Sequence, residues 1–140
     1  MAKRGPTVVD ASVAAKWFLP EPDTAKALAL RAAHLDGETI LAAPMLLIYE
    51  VGNALRYHPQ VGAANLGEHL EDLLALGIAL DAPSDESLRA AVEVAYGRGV
   101  TLYDAAYLAL AERMNCPLVS ADGEQLAAAG IRGVPLAEWD

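Results

Sequence analysis

Short apolar segments alternate with longer amphipathic ones along the whole chain. Runs of three or four apolar or β-branched residues indicate buried strands, and apolar residues spaced three and four apart are typical of helices. We therefore predict strands at 7–9, 39–42, 78–80, 117–120 and 134–136. The segments between them predict helices at 11–18, 23–35, 45–57, 65–76, 84–97, 101–112 and 123–129. This alternation is typical of an α/β domain built around a parallel sheet.

Prolines and acidic caps refine the boundaries of these elements. Pro20 and Pro22 forbid continuation of the first helix, and Asp23 is placed to cap the second. Pro44 suits the first turn of the helix at 45–57. Because proline cannot donate a ladder hydrogen bond, Pro135 favours an edge position for the last strand.

The length and composition describe one packed unit. With 140 residues, 54% hydrophobic and 21% charged, the chain predicts a single domain spanning residues 1–140. Its longest apolar run, Ile40 to Tyr49, is too short to cross a membrane, and the N-terminus lacks the apolar core of a signal peptide. The single Cys116 cannot form an internal disulfide and is expected to be a small buried hydrophobe. We therefore expect a cytoplasmic protein without a membrane partner.

The charge of the chain limits its partners. A formal net charge of −9 counts against tight, non-specific binding of nucleic acid, since few cations are available to replace the counterions of the phosphates. It suits metal cations or a basic protein partner. A brief catalytic encounter with RNA is still compatible with this charge.

Three acidic residues stand at helix starts, where two interpretations are open. Asp10 and Asp122 each follow a predicted strand and precede a helix, so both should project from the carboxyl edge of the sheet, where ligands bind in open α/β folds. Asp104 stands in the first turn of an otherwise apolar helix. Taken alone, each of the three is better explained as a helix cap, with Thr101 and Asp104 approximating a capping box.

Glu50 is different, because it lies several residues inside an apolar helix, where no capping role exists. Asn53 follows three residues later and shares its face of the helix. A face that merely contacts solvent would usually carry more polar residues than this pair. We therefore expect a functional role for Glu50.

Four carboxylates in one cleft would repel one another unless a cation lay among them. An all-oxygen site completed by water suits Mg²⁺ or Mn²⁺, whereas Zn²⁺ would require His or Cys, and His34, His58 and His69 are not paired at ligand spacing. One or two such cations could generate a hydroxide and neutralise a phosphodiester oxygen. The sequence alone does not give the distances between these carboxylates.

Four motifs in order resemble those of PIN-domain ribonucleases. They are VVDASVAAKWF at 8–18, the segment from AP at 43–44 through EVGNALR at 50–56, LYDAAYLALA at 102–111, and PLVSAD at 117–122. The resemblance extends from about Val8 to Leu136. It implies a PIN fold, which is a three-layer α/β/α sandwich with a central parallel sheet.

The resemblance also implies an activity and a set of site residues. The family cleaves RNA with Mg²⁺ or Mn²⁺, and short members of this kind look like VapC-type toxins, which are held inactive by a cognate VapB-type antitoxin and are commonly homodimeric. By this resemblance, Asp10, Glu50, Asp104 and Asp122 would be the catalytic and metal-binding acids. Ser12 and Asn53 would be supporting residues, although Ser12 could equally satisfy its own helix. Glu124 could assist or replace Asp122.

Other residues near the motifs have weaker functional interpretations. Lys16 and Arg56 could contact RNA phosphates, although such residues are more often solvated charges. Trp17, Tyr49 and Tyr107 are expected in the core rather than as base-stacking platforms, because each lies in an apolar helical pattern.

Two other functions have to be weighed against a nuclease. A PIN scaffold could bind RNA or a protein without cutting. A phosphoacceptor receiver domain is also a small α/β protein with acids at strand ends, but such domains use a lysine late in the chain, and lysine occurs here only at positions 3, 16 and 26.

Overall fold

A parallel sheet forms the centre of the computed structural model, which describes residues 4–140. Within these residues the sheet has five strands in the order β3-β2-β1-β4-β5, and every neighbouring pair is parallel. The strands are β1 (Thr7–Val9), β2 (Leu41–Pro44), β3 (Ala79–Asp81), β4 (Leu118–Ser120) and β5 (Gly133–Pro135). The prediction of a parallel α/β sheet, with Pro135 in an edge strand, is therefore confirmed.

Helices connect the strands and give the three-layer α/β/α sandwich that was expected. They are α1 (Ala11–Ala14), α2 (Thr24–Leu35), α3 (Leu46–Arg56), α4 (Ala63–Ala75), α5 (Asp85–Arg98), α6 (Leu102–Met114) and α7 (Gly123–Ala129). Short 3₁₀ turns cover Ala15–Trp17, Gly130–Arg132 and Leu136–Glu138. Helix α5 begins at a capping box, in which the Ser84 hydroxyl accepts from the amide of Ser87.

The core lies between the sheet and the apolar faces of α3 and α6. Val8 and Val9 of the central strand are fully buried, because parallel strands are covered on both faces. On α3 the buried stripe contains Leu47, Val51 and Leu55, which are four residues apart and therefore share one face. Strands β1 and β4 and helices α3 and α6 thus hold the chain segments that carry the candidate acids.

The second strand is displaced from its predicted position. It covers Leu41–Pro44 rather than 39–42, since its pairing with β1 begins at Leu41, opposite Thr7. The hydroxyl of Thr39, which precedes the strand, bonds to the Thr7 hydroxyl and to the carbonyl of Gly5. Pro44 pairs with Asp81 of β3 and ends the strand, so its predicted place in the first turn of α3 is wrong. The fixed φ of proline is compatible with both positions, and only the neighbouring strand decides between them.

Two predictions for the segment between β1 and α2 are also wrong. The helix predicted at 11–18 is α-helical only to Ala14 and continues as a 3₁₀ turn. Asp23 has a left-handed backbone, with φ of 65°, and its side chain does not cap α2. The Thr24 hydroxyl instead accepts from the amide of Glu21 and donates to the carbonyl of Leu19.

None of the helices between residues 4 and 140 combines the length and the apolar character that crossing a bilayer requires.

Candidate active site

The candidate site lies at the carboxyl edge of the two central strands. Strands β1 and β4 are hydrogen-bonded neighbours, with Val9 opposite Val119. Asp10 follows β1 directly, and Asp122 follows β4 after one intervening residue. The parallel pairing therefore brings to one edge two acids that are more than a hundred residues apart in sequence, as predicted for this class of sheet.

Asp10 is a buried carboxylate held by two serines. Its side chain is 6% exposed. Oδ1 accepts from the amide and the hydroxyl of Ser12, at 3.1 and 2.5 Å, and Oδ2 accepts from the Ser120 hydroxyl at 2.6 Å. The bond to the Ser12 amide is an N-cap, so the capping interpretation of Asp10 is correct. It accounts for only one of the three bonds, and the other two fix the orientation of the carboxylate.

Ser120 is the site residue that sequence reasoning missed. It is fully buried at the end of β4, and besides donating to Asp10 it accepts from the amide of Asp122 at 3.0 Å. The Ser12 hydroxyl lies 3.3 Å from it and accepts from the amide of Ala121 at 2.9 Å. The two serines therefore join the loop after β1 to the loop after β4. The available sequence signal was a polar residue ending an otherwise apolar strand two positions before Asp122.

Glu50 lies on α3 and contacts helix α6 through one side chain, that of Tyr107. Its Oε1 accepts a 2.6 Å hydrogen bond from the phenol of Tyr107. Tyr107 is 1% exposed, so the expectation that it belongs to the core is confirmed for its ring. Its hydroxyl, however, contacts a candidate catalytic acid, and this role was not predicted. Because Tyr107 lies three residues after Asp104 on α6, this bond places Glu50 and Asp104 on neighbouring helix faces.

The carboxylate of Asp104 is not used as a helix cap. The Thr101 hydroxyl accepts from the backbone amide of Asp104 at 3.1 Å, which makes Thr101 the N-cap of α6. The reciprocal bond of a capping box, from the Asp104 side chain, does not form within the described residues. The buried amide of Gln125 in α7 donates to the backbone carbonyl of Asp104 at 3.3 Å. The start of α6 is thereby tied to the helix that follows Asp122.

Asp122 is exposed and caps α7. Its Oδ1 accepts from the amide of Glu124 at 3.0 Å, so the capping interpretation is correct for this residue as well. Glu124 is exposed in the first turn of α7. Only the backbone amide of Glu124 takes part in this bond, so its side chain has no demonstrated role beside Asp122.

The carboxylates are close enough to influence one another's protonation. Burial raises the pKa of Asp10 above its usual value against the hydrogen bonds from Ser12 and Ser120, and the charge of Asp122 adds to this rise. Burial likewise raises the pKa of Glu50, the bond from Tyr107 partly offsets this, and the charges of Asp104 and Asp10 raise it further. Burial and the hydrogen bond to Glu50 also raise the pKa of the Tyr107 phenol. The four acids therefore form one electrostatic group.

This negative group lacks a basic counter-charge within the described part of the chain. The ion pairs formed by residues 4–140 join Arg98 to Glu112 and Arg113 to Asp81, and neither includes one of the four acids. The same residues contain no three His, Cys, Asp or Glu side chains placed to hold a metal ion together. Mg²⁺ is commonly bound through one or two carboxylates with water in its remaining positions, so an all-carboxylate group of this kind fits such a cation in its donor chemistry.

The remaining predicted residues differ in their distance from the acids and in their exposure. Asn53 is exposed and lines a shallow cleft with Glu50. Arg56 is exposed, with its guanidinium 5.3 Å from the centre of the Tyr57 ring. Lys16 is only 9% exposed in a 3₁₀ turn, which leaves little of it available to a phosphate, because α2 and α3 pack against that turn.

Two aromatic residues that were expected in the core differ in their burial. Trp17 is 7% exposed and belongs to the core, as expected. Tyr49 is 80% exposed, so the expectation that it lies in the core is wrong. It lies two residues from Leu47, roughly 200° around the helix, and therefore faces away from the buried stripe of α3.

Comparison with known proteins agrees with the motifs. The family model of the PIN domain matches residues 7–131. Among curated proteins of Pyrobaculum aerophilum, the chain is 41% identical over 111 residues to exonuclease VapC9, covering 74% of this chain and 80% of that one. It is 38% identical over 124 residues to ribonuclease VapC3, covering 86% and 91%.

Two solved structures share the fold. The crystal structure of PAE2754 from Pyrobaculum aerophilum superposes with a TM-score of 0.68 and 29% identity, over 94% of this chain and 84% of that one. The structure of FitAB bound to an IR36 DNA fragment superposes with a TM-score of 0.72, over 96% and 97%. At 16% identity the second likeness shows the fold alone. The match to the PIN-domain family over residues 7–131 excludes the alternative of a receiver domain.

Proposed function

The chain belongs to the PIN-domain family, among its VapC-type members, and from this we propose that it is a divalent-metal-dependent endoribonuclease. The observation that supports the proposal is that Asp10 and Asp122 leave two neighbouring parallel strands at one edge, while the Tyr107 bond holds Glu50 against the helix that carries Asp104. None of the four acids is in an ion pair among the described residues. A nuclease must bring a nucleophile to a phosphodiester that is itself negative, and uncompensated carboxylates are suited to the cation that this requires.

We propose that one or two of these acids at a time, Asp10 among them, would bind Mg²⁺ or Mn²⁺ and that water would complete the coordination, since no three of them lie at ligand spacing in the described residues. Asp10 lies within electrostatic reach of both Asp122 and Glu50, and Glu50 within reach of Asp104. A divalent cation bound there would activate a water molecule and neutralise charge on the phosphate. Binding would also favour the ionised forms of Asp10 and Glu50, whose pKa values burial raises.

The other side chains of the site position these acids. Ser12 and Ser120 present fixed donors to Asp10, so its two oxygens are oriented before any ligand arrives. Tyr107 holds Glu50 against α6 in the same way. Asn53 lines the cleft beside Glu50, where its amide could contact a bound nucleotide. We propose these as positioning and contact residues rather than as groups that react.

The name exonuclease is given to one relative and the name ribonuclease to the other, so the test must separate the two modes of cutting. Purified protein would be incubated with Mn²⁺ and a circular single-stranded RNA beside the same RNA in linear form. An endoribonuclease linearises the circle, whereas an exonuclease leaves it intact. Wild type should cut both forms, a chelator should abolish cutting, and Asp104→Asn purified in parallel should cut neither.

The result also decides between the nuclease and the alternative of a non-catalytic PIN scaffold. If total RNA from the source organism and both test RNAs survive wild-type protein with Mg²⁺ or Mn²⁺, the nuclease proposal fails. The scaffold that binds RNA or a protein partner then becomes the leading function. Cutting that Asp104→Asn retains would instead identify a contaminating nuclease.

Partners follow from the same family membership. We propose that the protein is the cytoplasmic toxin of a toxin–antitoxin pair, neutralised by a VapB-type antitoxin, and that it forms a homodimer. A net charge of −9 suits a basic antitoxin segment. Exposed apolar side chains on several helices, including Leu35 and Leu74, are available for protein contacts. Light scattering of the pure protein tests the dimer, and rescue of growth by co-expressed antitoxin tests the pair.

A further inference from the structure

A shallow cleft beside Glu50 carries two tyrosines that the mechanism above does not use. It is lined by Leu46, Tyr49, Glu50, Asn53 and Tyr103. Tyr49 is 80% exposed and Tyr103 is 62% exposed. Each stands immediately before a candidate catalytic acid in sequence, Tyr49 before Glu50 on α3 and Tyr103 before Asp104 on α6. Two helices therefore present an aromatic ring to the same small space next to the acids.

Core packing does not explain these rings. The buried residues of α3 are Leu47, Val51, Gly52 and Leu55, and Tyr49 is not among them. In α6 the buried residues begin at Ala105, so Tyr103 precedes the packed part of the helix. The aromatic rings inside the core, those of Trp17 and Tyr107, are at least 93% buried, and those of Phe18 and Trp139 are partly buried against it. An exposed aromatic pair at a cleft is instead typical of a surface that binds a ligand.

The charge of this cleft restricts how it could hold RNA. Its lining contains a carboxylate, an amide and two phenols but no Lys or Arg. The affinity of most RNA-binding surfaces comes largely from cations that replace counterions along the phosphates, and that source is missing here. Stacking of bases on aromatic side chains is the main alternative, and it does not require positive charge.

We propose that Tyr49 and Tyr103 form a nucleobase subsite, in which a base of single-stranded RNA stacks on the rings while its phosphate lies at the acids. Asn53 in the same cleft supplies an amide that can donate to and accept from the edge of the base. The proposal rests on the proposed nuclease function and adds a means of holding the substrate. It also gives the acidic chain an affinity for RNA bases rather than for polyanions in general.

The competing occupant of this surface is a second copy of the chain. Tyr103 also lines an adjoining apolar groove of about 190 Å³, together with Met45, Leu88 and Leu102. A dimer that used this groove would cover Tyr103 as well. The presence of Glu50 and Asn53 in the cleft favours the nucleobase, since a protein interface there would bury a carboxylate that has no basic partner among the described residues.

The test measures RNA binding separately from cleavage. In the cleavage-deficient Asp104→Asn background, the affinity for a short labelled single-stranded RNA would be measured by fluorescence anisotropy with Mg²⁺ present. The same measurement would use an abasic ribose-phosphate chain of equal length. Tyr49→Ala and Tyr103→Ala are compared with Tyr49→Phe and Tyr103→Phe, and the matched control is Tyr96→Ala. Tyr96 is 89% exposed on α5 and does not line the cleft.

We expect each alanine variant to bind the RNA about tenfold more weakly or worse, whereas each phenylalanine variant stays within about twofold of its parent. The control Tyr96→Ala should bind normally. Affinity for the abasic chain should be unchanged in every variant, because that chain has no base to stack. In the cleaving background, the alanine variants should raise KM more than they lower kcat.

Two results overturn the subsite. One is that Tyr49→Ala and Tyr103→Ala both bind RNA as tightly as their parent does. The other is a weaker binding that accompanies dissociation of a dimer in light scattering, which would assign the tyrosines to an interface between copies. The proposed nuclease can fail independently of this: if wild type does not cut RNA but base-dependent binding is lost in the alanine variants, the subsite stands and the cleavage function does not.

Discussion

The phenol of Tyr107 donates a 2.6 Å hydrogen bond to Oε1 of Glu50, joining two residues that lie on different helices and are 57 positions apart in sequence. The ring is buried in the core, and only its hydroxyl reaches the acid. One residue thus serves both the packing of α6 and the position of a candidate metal ligand.

Tyr107→Phe keeps the buried ring and removes this bond. Burial raises the pKa of Glu50 and the Tyr107 bond lowers it, so the variant should hold the Glu50 proton to a higher pH. We expect a loss of about 1 kcal/mol in the free energy of unfolding. Because Tyr107 also orients the Glu50 carboxylate, Mn²⁺ affinity measured by titration calorimetry should fall about fivefold, the equivalent of about 1 kcal/mol, and the loss should grow as the pH is lowered.

Tyr103→Phe is the control for this experiment, since it removes an exposed phenol on the same helix that has no bond to Glu50. It should change neither stability nor Mn²⁺ affinity. Equal affinities of wild type and Tyr107→Phe for Mn²⁺ would show that Glu50 is oriented without Tyr107.

Ser120→Ala tests the connection between the two strand-end acids. The variant removes the 2.6 Å donor to Asp10 and the acceptor of the Asp122 amide, both at a fully buried position. We expect a loss of about 1–3 kcal/mol in stability, because buried polar groups are left without a partner. Metal affinity should fall as well, since Asp10 and the loop bearing Asp122 are no longer joined.

Ser84→Ala provides the comparison, because it removes the cap of α5 and leaves the acids untouched. It should cost about 1 kcal/mol in stability without altering metal affinity. If both serine variants lose stability and neither loses metal affinity, Ser120 serves the fold alone.

The stability of the metal-free protein should depend on pH through Asp10 and Glu50. Burial raises the pKa of both carboxyl groups above their ordinary values of 3.8 and 4.5. The folded protein therefore retains protons that the unfolded chain has already released. Their contribution to the free energy of unfolding is complete below the ordinary values and is lost as the pH rises through the raised ones. Urea unfolding at several pH values in the presence of a chelator measures this loss.

Asp10→Asn isolates the share of Asp10 in that profile, since Asn remains a good N-cap. The stability of wild type relative to the variant should decline with rising pH, by about 1.4 kcal/mol for each unit by which folding raises the pKa. Parallel profiles of the two proteins would contradict the raised pKa of Asp10. Saturating Mg²⁺ should restore wild-type stability near neutral pH, because the cation binds the ionised acids.

Gly133→Ala should destabilise the edge of the sheet. A Cβ at this position would lie 3.0 Å from the carbonyl oxygen of Leu126 and 3.2 Å from the Cβ of Ala129. Strand β5 or helix α7 would have to shift, and we expect a cost of about 1–3 kcal/mol in thermal or urea unfolding.

The matched substitution Gly67→Ala should act in the opposite direction. Gly67 lies inside α4, and a Cβ there meets no atom within 4 Å. Alanine should therefore add about 0.5–1 kcal/mol through its better helix propensity. Similar effects of the two substitutions would mean that the contact at Gly133 relaxes without cost.

The order of elements and the edge at which the acids stand follow from the sequence. Apolar runs predicted the five strands, because a strand of a parallel sheet is buried on both faces. Amphipathic segments predicted the helices between them, because a helix that covers the sheet is buried on one face. The parallel sheet then required Asp10 and Asp122 to leave it at the same edge. Two predicted details were wrong because they depended on contacts outside their own segment. The end of β2 depended on its pairing with β3, and the start of α2 depended on the Thr24 hydroxyl rather than on Asp23.

The partners of the acids were decided by the tertiary structure alone. A helical pattern defines an apolar face but not the element that covers it, so Tyr49 and Tyr107 gave the same signal although one is 80% exposed and the other 1%. Ser120 and Asp10 are 110 residues apart in sequence, and Tyr107 and Glu50 are 57 apart. Such pairs exist only after the strands and helices have packed, because each bond needs the position and the direction of two side chains from separate elements.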